Sequence, residues 1–407
     1  MPVAEETTMS ARIQRGFVIG FFLFLPSILP AQVTNGKKPQ LPAPFATKSA
    51  GNPPQETKPP KGFLPTVPAG FRVNVFATDF DEARWLTVAP NGDIFLADTH
   101  GGKIYILRDP QHTGGAQQRV VWDEGLDQPF GIVFHEDYVY VGDTNAVLRF
   151  KYDAKTSKRL DDGEKLMDLP RGGHTTRALV FSADGKHLFV SVGSQSNVDI
   201  ESDSRRAAIT ICDPDGKKAR LYATGLRNPV GIALEPTTGQ LWASVNERDG
   251  LGDDLPPDYF TSVKDGGFYG WPYSYIGDNV DPRVNPQKPE LVAKAIIPDV
   301  LLGAHRAPLQ FVFYTGKQFP ESYRGGAFIA EHGSWNRSTR AGYQVVFVPF
   351  KDGKPSGDPQ PFLTGLVPDP TKSNVNGRPV GVTVAPDGAL LVSDDGAGVV
   401  YRVTVAP

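Results

Sequence analysis

From residue 71 onward the apolar positions of this chain come in short bursts with a period of two, separated by turns rich in Gly, Asn, Asp and Pro. That alternation marks strands with one face turned to a core, and no long helical periodicity competes with it. Residues 71–76 open the series with an alternating strand. A unit then repeats: residues 84–98 read as a strand, an Asn-Gly turn and a second strand, and 102–107 as a third. The unit returns at 129–134, 138–143 and 146–150, at 177–181 and 188–192, at 228–234 and 240–244, at 308–313 and 326–330, and at 379–394 and 399–403. None of these six meanders can bury both of its faces alone, so neighbours must stack and the series must close. The pattern predicts an all-β fold, a six-bladed β-propeller of four-stranded antiparallel blades, with 71–76 completing the last blade. A β-sandwich or two separate barrels is the other arrangement the same strands allow.

The segment ahead of the repeats is of a different kind. Arg12 and Arg15 precede an apolar run over residues 16–29, followed by Pro30-Ala31-Gln32. This is the layout of a secretory signal over residues 1–31, with an uncleaved N-terminal anchor as the rival reading. Met9 is a second candidate start, because residues 1–10 carry acidic side chains foreign to a signal's basic end. Residues 32–68, rich in Pro, Lys, Ala and Thr, lack apolar periodicity and read as a flexible tether. The propeller then occupies 69–407. Export places the protein in a periplasm or outside the cell, not integral to a membrane once processed. The only cysteine, Cys212, excludes an intrachain disulfide; its apolar neighbours suit a buried strand residue better than a nucleophile. With a net charge of -3 the chain is not built to bind nucleic acid.

Candidate chemistry gathers where the inner strands begin. In a propeller that position points toward the axis at one mouth of the ring. Here it holds Arg84, the segment Gly172-Gly173-His174-Thr175-Thr176-Arg177, Arg227-Asn228 and Arg378. Taken singly, each arginine is a surface ion pair of little worth and His174 a loop residue. Converging on one rim, the arginines predict a small anionic ligand with several carboxylates, and His174 a proton acceptor beside it. The longest insertions, 193–207 and 247–306, fall on loops, where function usually lies. The second begins Asn246-Glu247-Arg248-Asp249-Gly250-Leu251-Gly252-Asp253-Asp254, whose oxygen density suits either Ca²⁺ or a solvated acidic loop. Residues 264–272 mix glycines with aromatics, as a packing plug or a platform for a flat ligand would.

Four motifs occur together and in order: Gly173-His174-Thr175-Thr176-Arg177, Gly225-Leu226-Arg227-Asn228-Pro229-Val230-Gly231, Asp265-Gly266-Gly267-Phe268-Tyr269-Gly270-Trp271-Pro272 and Glu331-His332-Gly333-Ser334-Trp335-Asn336-Arg337. In combination they resemble the glucose/sorbosone dehydrogenase family of quinoproteins, relatives of soluble glucose dehydrogenase and aldose sugar dehydrogenase. The resemblance runs from about Gly70 to Val403. It implies a propeller holding pyrroloquinoline quinone (PQQ) with Ca²⁺, and oxidation of an aldose or a sorbosone-like aldehyde sugar. His174 would be the general base. Arg227 and Asn228 would meet the quinone oxygens and Arg378 a cofactor carboxylate, with Arg177, Lys317 and Arg337 as further cofactor contacts. The backbone carbonyls of Asp249 and Gly250 would bind the Ca²⁺. Gly173 stands where the soluble glucose enzymes carry an acidic residue, and Val380 where they carry a second arginine. No Cys-x-x-Cys-His haem motif is present, so electrons would leave to an external acceptor, a quinone or a cytochrome. A metal-dependent lactonase is disfavoured by arginines where metal ligands would stand. A non-enzymatic propeller binding carbohydrate or protein on the same face is the remaining reading.

Overall fold

The computed structural model describes residues 31–407 together with Met1; residues 2–30, which carry the signal read from the sequence, lie outside the described residues. Each recurring unit forms an antiparallel sheet whose strands run outward from the axis in chain order. Blade 1 is Ala83–Val88, Ile94–Asp98, Lys103–Arg108 and Gln118–Glu124. Blade 2 is Ile132–His135, Tyr138–Asp143, Ala146–Asp153 and Glu164–Asp168. Blade 3 is Leu179–Phe181, Leu188–Val192, Ala208–Cys212 and Arg220–Thr224. Blade 4 is Asn228–Leu234, Leu241–Asn246, Pro257–Ser262 and Val300–Ala304. Blade 5 is Pro308–Phe313, Ala327–Glu331, Gln344–Val348 and Gln360–Leu363. Blade 6 takes Pro379–Val384, Leu390–Asp394 and Val399–Val405 from the end of the chain, and its outer strand, Phe71–Ala77, from the beginning. Pairing of Phe71–Ala77 with Val399–Val405 closes the circle as the alternation predicts. Each innermost strand packs on the next, and that of blade 6 on that of blade 1, so the six sheets form a ring and not a sandwich.

The core lies between blades. Second strands such as Ile94–Asp98, Leu188–Val192 and Leu390–Asp394 are buried on both faces because a neighbouring sheet covers each side. Two serines stitch adjacent blades at the axis. Ser244 Oγ accepts the Gly231 N–H (3.0 Å) and donates to the Leu309 carbonyl of blade 5. Ser393 Oγ accepts the Gly381 N–H (2.8 Å) and donates to the Arg84 carbonyl of blade 1. Glycine is required opposite them: a Cβ at Gly381 would lie 2.1 Å from the Arg84 carbonyl oxygen. Across the axis, Gln310 donates to Leu86 O (2.8 Å) and accepts from Leu86 N (3.1 Å), linking blades 5 and 1.

The stretch 32–68, read as a flexible tether, is laid along the ring instead. Gln32–Val33 adds an outermost strand to blade 4. Phe45 N–H donates to Leu251 O (2.8 Å), Asn52 N–H to Trp335 O (2.7 Å), and Gln55–Glu56 pairs with Asn374–Val375. Backbone donors and acceptors of an irregular chain find partners on exposed loops, which composition does not reveal. Cys212 is buried in blade 3 and its thiol is pushed up to about 12 by that burial, which leaves it inert.

Candidate active site

Antiparallel pairing sets the start of each inner strand beside the end of the second strand. Asn228 faces Asn246, Pro308 faces Glu331 and Pro379 faces Asp394. Loops leaving both strand ends therefore share one mouth of the ring. They enclose a cavity of about 410 Å³, within the ~300–1,000 Å³ usual for small-molecule sites.

His174 lines this cavity. Its Nδ1 lies 2.9 Å from the Ser194 carbonyl, to which it donates, so the lone pair is on Nε2. Burial, then the neighbouring Arg227, holds its pKa down to about 4, so the ring is neutral near pH 7. Arg177, three residues on, is wholly buried beneath the loop. It donates to the carbonyls of His174 (2.7 Å), Thr176 (2.8 Å) and Pro170 (2.8 Å). It shapes the His174 loop and does not reach the cavity, which corrects its expected contact with a cofactor. Gly173 has φ +62°, and a Cβ there would lie 2.5 Å from Gln195 Cα, so an acidic side chain has no room.

Arg227, Asn228, Asp249 and Arg378 line the cavity with His174. Arg227 donates to Glu247 O (2.8 Å) and Asn197 O (3.1 Å), with the Asp249 carboxylate 3.9 Å away. Asn228 is buried, and its Oδ1 has no hydrogen-bond partner in the protein. Arg378 pairs with Glu56 of the docked N-terminal stretch at 3.4 Å. The other site expectations are not met. Lys317 is exposed in the turn that follows the inner strand of blade 5, at the opposite end of the ring. Arg337 is buried against Asp254 (2.7 Å) and lines a separate cleft with residues 47–51. Val380 is fully buried in the core.

Three further ionisable clusters complete the walls. His305 turns Nε2 to the Gly252 carbonyl (2.9 Å) and Nδ1 to the Asp249 carboxylate (3.5 Å). Burial opposes its charge, but Asp249 and the Gly252 carbonyl outweigh it and raise the pKa. Asp258 accepts the N–H groups of Glu247 (2.7 Å) and Ala307 (2.8 Å), and burial pushes it up to about 7. His332 lies 2.8 Å from Asp395, which also binds Arg84 at 2.8 Å. Trp335, 51% exposed, stands at the rim. His305, Asp258 and Asp395 lie outside both the inner-strand starts and the four motifs that point to the site from sequence. The acids and histidines at or just past the second-strand ends, Glu247, His332 and Asp395, carried the same positional signal.

The arginines of the rim are already balanced by Asp395, Glu56 and Asp249. Even so, the cavity fits a flat polycarboxylate. It offers guanidinium groups on blades 1, 4 and 6, an unpaired buried amide oxygen at Asn228, and a neutral imidazole. Calcium at the Asp249 carbonyl does not fit. Asp249 O already accepts from Arg283 Nη1 (2.6 Å) and Asn197 Nδ2 (3.0 Å), which engages both lone pairs. Among the described residues no cluster of three or more His, Cys, Asp or Glu side chains is placed to hold a metal.

Comparison with known proteins agrees with this architecture. A Borreliella burgdorferi protein of uncharacterised function is 30% identical over 83% of this chain and 90% of its own length. The PQQ-dependent pyranose dehydrogenase of Coprinopsis cinerea is 23% identical; the match covers 82% of this chain and 53% of that longer protein. The PQQ domain of that enzyme in its holo form superposes with a TM-score of 0.72, covering 86% of this chain and 98% of the domain. A calcium structure of the Trichoderma reesei family AA12 enzyme superposes with a TM-score of 0.73 at 22% identity, covering 84% and 97% of the two chains. The TrAA12-like family matches residues 65–256 and 286–406, and this chain is a member of it.

Proposed function

We propose that this protein is an exported PQQ-dependent dehydrogenase that oxidises an aldose, or a sorbosone-like aldehyde sugar, and passes the electrons to an external quinone or cytochrome. The observation that carries the reading is His174: a neutral imidazole, its Nδ1–H fixed on Ser194 O, in a cavity walled by Arg227 and Arg378. The kinship with a PQQ-dependent pyranose dehydrogenase supplies the substrate class and the cofactor.

When bound, the ortho-quinone supplies the hydride acceptor. His174 Nε2 takes the proton of the sugar hydroxyl as the carbon below it loses hydride, and Ser194 O keeps the tautomer that makes this possible. Arg227 and Arg378 would hold the cofactor's carboxylates and quinone oxygens with fixed positive charge, which favours the electron density the quinone oxygens gain on reduction. The unpaired Asn228 Oδ1 is an acceptor for a hydroxyl or N–H of whatever is bound. The half-exposed Trp335 ring offers a face to the C–H groups of a pyranose at the entrance. Calcium has no part in this reading at the Asp249 carbonyl. The lactonase reading lacks a ligand cluster among the described residues.

The test is a PQQ titration of the purified chain by cofactor absorbance, followed by dye reduction with a panel of aldoses. Stoichiometric binding and sugar-dependent reduction that is lost in His174→Gln are expected. No binding at micromolar PQQ overturns the reading.

A further inference from the structure

The Asp249–Gly250 turn is gripped by a residue that no motif brings to notice. Arg283 reaches back from the far part of the 247–306 insertion and donates through Nη1 to the Asp249 carbonyl at 2.6 Å. Gly250 makes the approach possible. Its φ is +90°, and a Cβ there would stand 2.8 Å from that same nitrogen. The guanidinium is neutralised from behind by Asp281, which receives Nε at 3.0 Å and Nη2 at 2.7 Å. Asp281 is fully buried and also lies 3.3 Å from Arg248, whose Nε donates to Glu247 at 2.9 Å. Alternating charges thus run from Glu247, through Arg248, Asp281 and Arg283, back to the turn. The turn in its own right carries Asp249 into the cavity, where its carboxylate meets Asn336, His305 and Arg227.

We propose that Arg283 is a positioning residue that stands in for a divalent cation: its guanidinium, and not Ca²⁺, holds the Asp249 carbonyl and fixes the turn. Ca²⁺ needs six to eight oxygen ligands with free lone pairs. This carbonyl has no free lone pair, and a second positive charge there would meet the guanidinium head-on. Cofactor binding by this chain is therefore indifferent to Ca²⁺. That consequence rests on the function proposed above; the grip on the carbonyl does not.

The experiment measures the PQQ dissociation constant of the EDTA-treated full chain in EDTA and in millimolar Ca²⁺. Wild type is expected to agree within about twofold in the two buffers. Arg283→Gln is expected to bind about tenfold more weakly in EDTA and to recover in Ca²⁺, while Arg283→Lys stays near wild type. A wild-type affinity raised about tenfold by Ca²⁺ overturns the proposal, as does an Arg283→Gln protein that behaves like wild type in both buffers. If Arg283→Gln does not fold, the wild-type arm decides. If no form binds PQQ, the dehydrogenase reading fails and crystals of the full chain soaked in Ca²⁺ judge Arg283 alone. Arg283 on Asp249 O with no ion there supports the inference; an ion on that oxygen sinks it.

Discussion

His332 Nε2 lies 2.8 Å from one Asp395 oxygen and 3.0 Å from the other, so a histidine of blade 5 is locked to an aspartate of blade 6 inside the cavity wall. Arg84 of blade 1 closes the group by donating to Asp395 at 2.8 Å. Burial would raise the Asp395 pKa, but His332, Arg84 and Arg378 together hold it down to about 2. Burial and Arg378 keep His332 from charging, down to about 4, so near pH 7 the ring is a neutral donor to a carboxylate. The group ties three blades together at the site itself.

Asp395→Asn removes the negative charge shared by Arg84 and His332 and leaves Arg84 only the longer pair with Glu82 at 3.3 Å. Breaking a buried pair from one side costs about 3–5 kcal/mol, and urea unfolding at pH 7 should show a loss of that order. The sign with pH follows from the depressed pKa. A carboxylate held near 2 stabilises the fold above its ordinary value of 3.8, and this is lost as pH falls through 2. The gap between variant and wild type should therefore close in acid. A gap that persists there would show that packing, not charge, is what was lost.

His174 should act as a base well below the ordinary histidine range. Its pKa is held down to about 4, chiefly by burial and then by Arg227, so the acid limb of kcat/KM should fall near pH 4 and not near 6.5. Arg227→Gln should move that limb upward. His174→Gln should lower kcat by about 10²–10⁴ while PQQ still binds. A limb at 6.5 in wild type would place His174 in a more solvated or more anionic setting than the structure gives it.

Much of the fold could be read from alternation alone, because a propeller repeats one simple demand: short strands, tight turns, small residues near the axis. The mouth was legible for the same reason, since a residue that begins an inner strand must point there; His174, Arg227, Asn228 and Arg378 all do. Arg177 misled because its position satisfied that rule while its side chain turned inward to three carbonyls. Lys317 and Arg337 rested on kinship and not on position, and the ring puts neither in the cavity. Arg283 was beyond reach, since no period or spacing ties it to a carbonyl 34 residues earlier.

The serine stitches can be tested without touching the site. Ser393→Ala leaves the Gly381 N–H and the Arg84 carbonyl unpaired between blades 6 and 1. An unsatisfied buried polar group costs about 1–3 kcal/mol, so chemical unfolding should register a loss in that range. A neutral result would mean that the two backbone groups find each other or water when the hydroxyl is gone.

Glu56 reaches Arg378 from a stretch outside the propeller proper, and the pair has a plain consequence for ligand affinity. The carboxylate lies 3.4 Å from Arg378 Nη1 and remains 45% exposed, so it is a screened, surface-type partner. Such pairs are worth about 0.2–1 kcal/mol. A carboxylate arriving on the cofactor must share or displace it. Glu56→Gln should therefore tighten PQQ binding modestly, by about 1.5- to fivefold, and the gain should shrink as salt rises. The fold should be indifferent, because the neighbouring backbone pairing of Gln55–Glu56 with Asn374–Val375 does not involve the side chain. Weaker binding in the variant would reverse the picture, making Glu56 an anchor that orients Arg378 for the ligand and not a competitor for it.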